Sequence, residues 1–118
     1  MAEWRAVGTE AMLEDGEMTE VKVDDAVLLL ARVEGQYYAA QGLCPHMRAH
    51  LARGKLDEFV VTCPAHKSQF DLRGGHSLEW TPKLPRLARR MAQAFQPAQD
   101  LRTYGTRVID GQVWVEMD

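Results

Sequence analysis

Strand-like runs separated by short turn signals dominate the chain. AVLLLARVEGQYYAAQG (residues 26–42) sets two stretches rich in Val, Leu and Tyr on either side of Glu34-Gly35, which reads as a β-hairpin. KLDEFVVTC (55–63) reads as a second hairpin turning at Asp57-Glu58. TRVIDGQVWVEM (106–117) is the clearest: Asp110-Gly111 is a favoured two-residue turn, and Val108, Val113 and Val115 alternate with polar or larger neighbours. Trp4, Tyr37, Tyr38 and Trp114 fit strand packing, where aromatic residues are enriched whatever the function.

A period of 3.6 appears in one place. PRLARRMAQAF (85–95) opens on Pro85, suited to a first helical turn, and carries Leu87, Met91 and Ala94 or Phe95 on one stripe, with Pro97 placed to stop it. Arg86, Arg89 and Arg90 fall on its outer face, as a solvated surface or a docking patch for an acidic partner. These patterns predict an all-β chain of small antiparallel sheets with one short helix near residues 86–96.

Size and charge narrow the picture. The 118 residues suit one domain over 1–118 and leave no room for a large catalytic apparatus. A formal charge of −3 argues against a general nucleic-acid binder, so proteins or small molecules are the expected partners. MAEWRAVGTEAML lacks the basic start and apolar run of a signal peptide, and VLLLARV is too short to cross a bilayer, which reads as a cytoplasmic protein without membrane contact. In that compartment Cys44 and Cys63, the two cysteines, are expected as thiols or metal ligands rather than a disulfide.

Each cysteine is followed within three residues by a histidine, giving Cys44 and His46, then Cys63 and His66. Sixteen residues separate His46 from Cys63, enough for a short hairpin that returns the second pair beside the first. Pro45 and Pro64 follow the cysteines and would stiffen both loops. A disulfide leaves the histidines unexplained. A structural zinc site is chemically sound, but zinc fingers usually group two cysteines and then two histidines. The alternating order suits a two-iron centre in which two histidines replace two cysteines on one iron.

CPHMRAHLARG followed by CPAHKSQFDLRGG resembles the two cluster-binding loops of Rieske [2Fe-2S] proteins, above all the small soluble ferredoxins that feed electrons to oxygenases. The resemblance extends to Leu51 and Gly54 after the first loop and to Phe70, Asp71, Leu72 and Gly74 after the second. Pro82 and Pro85 lie where the family has a proline-containing covering loop, and LRTYGTRVIDGQVWV is similar to its closing strands. The resemblance implies one [2Fe-2S] cluster, with Cys44 and Cys63 on the buried iron and His46 and His66 on the outer, redox-active iron. It implies an electron carrier rather than an enzyme, passing single electrons from a flavin-containing reductase to a terminal oxygenase of the ring-hydroxylating type. The alternatives are the small subunit of a nitrite-reductase-like enzyme and a zinc-stabilised interaction module.

Two details refine what the resemblance implies. High-potential relatives carry a disulfide between the loops, and the corresponding positions here are Ala49 and Ala65. They also place a serine and a tyrosine where hydroxyls donate to cluster sulfurs, and this chain has Ser68 but Phe70. A potential toward the bottom of the Rieske range of about −150 to +300 mV is therefore expected, falling further with pH once the oxidised form deprotonates. Many relatives have glycine where Arg48 and Lys67 stand, and since glycine tolerates positive φ, their absence leaves the loop conformation open. His50 and His76 are expected as loop or surface residues, because the four ligand positions are already filled.

Overall fold

Pairing of the run 26–42 with itself builds the centre of the molecule. In the computed structural model, which describes residues 3–45, 48–65, 67–79, 85–95 and 99–117, strands β3 (Ala26–Val33) and β4 (Gln36–Gln41) pair antiparallel around Glu34-Gly35. Both turn residues have positive φ, 53° and 79°, as a two-residue turn matched to strand twist demands. Strand β2 (Met18–Val23) adds to the other side of β3 through Asp24-Asp25, and β9 (Thr103–Tyr104) adds to β4.

A second sheet joins the two ends of the chain. Strand β11 (Gln112–Met117) pairs with β10 (Thr106–Ile109) around Asp110-Gly111 and, on its other side, with β1 (Glu3–Thr9). The third sheet runs in simple order through β5 (Lys55–Asp57), β6 (Val60–Thr62), β7 (Gln69–Asp71) and β8 (Ser77–Glu79). Its first turn falls one residue later than the sequence suggested. Asp57 pairs with Val60, so the turn is Glu58-Phe59, with Glu58 at φ 53°.

The unbroken apolar run in β3 follows from its position between two cores. Leu28 and Leu30 face one buried cluster with Val113 and Val115, whereas Leu29 and Ala31 face another with Val61, Phe70 and Leu72. Successive strand residues point to opposite faces, so a strand covered on both sides loses the polar half of its alternation. Tyr37 also reaches inward, and its hydroxyl donates to the Glu10 carbonyl at 2.7 Å, fixing the loop before β2. Trp4 lies under the Arg107 guanidinium at 3.9 Å, which accords with a packing role.

The helix α1 (Arg86–Phe95) forms where its periodicity predicted, but the described apolar side chains of its stripe are not buried. Leu87 is 72% exposed and Met91 56% exposed. A stripe supplies one face only, and the described core residues lie on strands and loops that already cover one another. Pro82 and Pro97 lie outside the described residues. Beyond the helix the chain returns to the third sheet at Gly75, whose carbonyl accepts from Leu101 N–H at 2.7 Å. A Cβ on Gly75 would stand 2.1 Å from the Leu101 oxygen, and its φ is +82°, so this return needs glycine on both counts.

Candidate metal centre

The two cysteine loops are built alike. The first leaves β4 and the second joins β6 to β7, yet in each the cysteine N–H donates to a carbonyl five residues on: Cys44 to Ala49 and Cys63 to Ser68, both at 2.8 Å. The residue just before that carbonyl takes a left-handed conformation, Arg48 at φ 56° and Lys67 at φ 63°. These are the positions where the resemblance led to glycine. Two long side chains therefore stand on backbone that a glycine would adopt freely, in a conformation that costs an L-residue roughly 1–2 kcal/mol. In the first loop further hydrogen bonds offset that cost: Arg48 N–H donates to the Cys44 carbonyl at 2.7 Å, and Leu51 N–H to the Gly42 carbonyl at 2.9 Å.

Both loops deliver their cysteines to one place. Cys44 and Cys63 are each 1% exposed and share a buried cluster with Leu51, Phe70 and Leu72. Neither belongs to a disulfide. A thiolate is costly to hold in such apolar surroundings without a compensating positive centre, so two of them in one dry cluster fit a soft metal-sulfur group. His46 and His66 lie outside the described residues, so the geometry reports on the cysteine half of the expected ligand set.

The other histidines are engaged elsewhere. His50 Nδ1 meets Glu20 Oε1 across to β2, and His76 Nδ1 lies 3.5 Å from Asp100 Oδ2 at the surface. Among the described residues no three His, Cys, Asp or Glu side chains gather, so neither histidine joins the cysteines. Ser68 is 1% exposed and Phe70 fully buried, so the position that carries a tyrosine hydroxyl in high-potential relatives here adds only apolar packing.

The β6–β7 side is stiffened by charge and rings. Arg73 donates to both Asp71 oxygens, Nε at 3.1 Å and Nη2 at 2.8 Å, and lies 4.4 Å over the Phe59 ring, which in turn meets Tyr38 edge-on at 5.5 Å. The Arg73 hydrogen bond holds the Asp71 carboxyl below the usual carboxylate range, and partial burial opposes it. On the first-loop side a cavity of about 570 Å³ is lined by Asp25, Gln41, Cys44, Pro45 and Arg48, among others. The paired Ala49 and Ser68 carbonyls and the left-handed cations were not read from the sequence, although their equal offsets from the two cysteines were visible there.

Comparison with known proteins accords with this architecture. Residues 3–104 match the Rieske [2Fe-2S] domain. The chain is 37% identical to sulredoxin of Sulfurisphaera tokodaii over 117 residues, covering 98% of this chain and 97% of that one. It is 29% identical to the ferredoxin component of the naphthalene 1,2-dioxygenase/salicylate 5-hydroxylase systems of a Ralstonia species, over 88% of this chain and 86% of that one. A chain in the solved complex of reduced oxygenase and oxidized ferredoxin of carbazole 1,9a-dioxygenase superposes with a TM-score of 0.75 at 26% identity, covering 94% and 99%. The twin loops, the shared cysteine cluster and a match over most of the length lead to one conclusion: the chain belongs to the Rieske [2Fe-2S] domain family, and its cofactor is one [2Fe-2S] cluster.

Proposed function

We propose that this chain, folded as one domain over 1–118, carries single electrons from a flavin-containing reductase to a terminal oxygenase of the ring-hydroxylating type. The observation that carries this reading is the pair of like-built loops that bring Cys44 and Cys63 into one buried cluster. Cys44 and Cys63 hold one iron, and His46 and His66 the other. When bound, a [2Fe-2S] cluster supplies reversible one-electron storage with a potential raised by imidazole ligation. The protein's own work is positional. Leu51, Phe70 and Leu72 keep water from the thiolates, and the paired carbonyls fix the loops so that little reorganises when charge changes. The ferredoxin role of the Ralstonia relative and the oxygenase complex of the carbazole system support the partnership. No helix among the described residues is long and apolar enough to cross a membrane.

Purification without oxygen, followed by visible absorption, reduced-state EPR and iron and sulfide analysis, tests the ligand set. A rhombic signal with low average g is expected; a colourless protein holding zinc without acid-labile sulfide would sink it. For the partnership, product formation by a ring-hydroxylating oxygenase supplied through a flavin-containing reductase should require this chain. Stable co-purification with a large nitrite-reductase-like subunit would point to the other assembly.

A further inference from the structure

We infer that Arg53, Lys55 and Lys67 form a cationic docking groove for a carboxylate-rich surface of the redox-partner protein; this rests on the carrier reading and names the partner's chemistry. Beside the second cysteine loop a cleft of about 430 Å³ is lined by these three cations with Thr62, Pro64 and Gln69, and among the described side chains that line it there is no carboxylate. Among the described residues none of the three forms an ion pair, and Arg53 and Lys55 are exposed. On a chain of formal charge −3 such a patch runs against the average.

The fold builds the cleft from the sequence upward. A 3-10 turn over Leu51–Arg53 passes into β5 at Gly54, where a Cβ would stand 1.9 Å from the Thr62 carbonyl. Glycine therefore lets this corner close against β6, with Arg53 and Lys55 on either side of it. Register places Lys55 opposite Thr62 and Thr62 opposite Gln69, and the Gln69 amide donates to the Thr62 hydroxyl at 3.3 Å across the floor. The same row ends at Glu79 on β8. Lys67 closes the other wall from its left-handed position four residues after Cys63.

Position and chemistry select the occupant. The cleft adjoins Pro64, the residue after Cys63, so a partner seated there is brought against the loop that holds the cluster. Exposed cations such as Arg53 and Lys55 steer and orient an oppositely charged surface, whereas a small anion is held by buried charge and converging main-chain donors. Arg48, at the equivalent place in the first loop, lines the other cavity beside Asp25 and serves as an internal control.

The test uses the cluster-loaded protein and a fluorescent polyglutamate peptide, read by anisotropy at several salt concentrations. Wild type should bind with an affinity that falls as salt rises. Lys55→Glu with Lys67→Glu should weaken binding by at least about tenfold, whereas Arg48→Glu should change it far less. One-electron oxidation of the reduced protein by ferricyanide, which becomes ferrocyanide, should slow in the double variant. Equal binding by wild type and double variant, or an equal loss with Arg48→Glu, would overturn the groove. So would displacement of the peptide by millimolar inorganic phosphate but not by sodium chloride of matched ionic strength, since that marks a small-anion site. If the double reversal does not fold, Lys55→Gln with Lys67→Gln gives the same comparison. The visible spectrum reports the cluster independently: an intact spectrum without peptide binding sinks the groove alone, and peptide binding by a colourless protein sinks the carrier alone.

Discussion

Arg48 and Lys67 show how far local chemistry reaches and where it stops. Both occupy left-handed backbone that a glycine would adopt freely. Replacing Lys67 by Gly relieves roughly 1–2 kcal/mol of strain and costs roughly 0.5–1 in unfolded-state entropy. Lys67→Gly should therefore stabilise the fold by about 0.5–1 kcal/mol, seen as a higher denaturant midpoint at unchanged slope. Ligand assignment makes a sharper residue-level prediction. His46→Ala or His66→Ala should abolish the native cluster spectrum, while His50→Ala and His76→Ala should leave it intact, because those two rings face Glu20 and Asp100. Loss of the spectrum in the second pair would show that the wrong histidines were chosen. Asp71 adds a pH dependence. Its carboxyl is depressed by Arg73, so its contribution is fully present above the unfolded carboxylate range, about pH 4, and fades as pH falls through the lower folded value. Arg73→Gln should thus be less stable than wild type at neutral pH, with the gap closing below about pH 4 in acid-unfolding curves.

At the scale of elements, local signals placed turns well and burial poorly. Glu34-Gly35 and Asp110-Gly111 turn where the sequence indicated, since a two-residue turn needing positive φ is written in two letters. The Asp57-Glu58 turn moved to Glu58-Phe59, because register in a sheet of three-residue strands is set by neighbours, here the pairing of Val60 with Asp71 and of Val61 with Phe70. Helix α1 has its amphipathic period without a buried face among its described side chains. Leu30→Ala, in the fully buried centre of β3, should cost about 2–5 kcal/mol in chemical denaturation. Met91→Ala should cost under about 0.5 kcal/mol, as a surface change does. A comparable loss at Met91 would mean that the helix packs against something in solution.

For the whole molecule, the potential joins what the loops lack to what surrounds them. Ala49 and Ala65 offer no sulfur for a disulfide between the loops, and Phe70 offers no hydroxyl toward the cysteines it packs with. The midpoint should fall toward the bottom of the Rieske range; a value above about +100 mV by redox titration would contradict this. Pairing of β1 with β11 and the apposition of three sheets were not legible in the sequence. The β1–β11 contacts join residues about a hundred positions apart, and no local pattern names a strand's distant partner.

By itself the sequence determined the strand periods, the glycine turns and a cysteine-histidine set in an order suited to mixed iron ligation, because these depend on neighbours a few bonds away. Only the tertiary structure decided that Cys44 and Cys63 share one dry cluster, that Arg48 and Lys67 keep a glycine's conformation, and that Arg53, Lys55 and Lys67 line one cleft. Burial and charge proximity are set by the faces that distant segments turn toward one another, and that arrangement exists only once the sheets have packed.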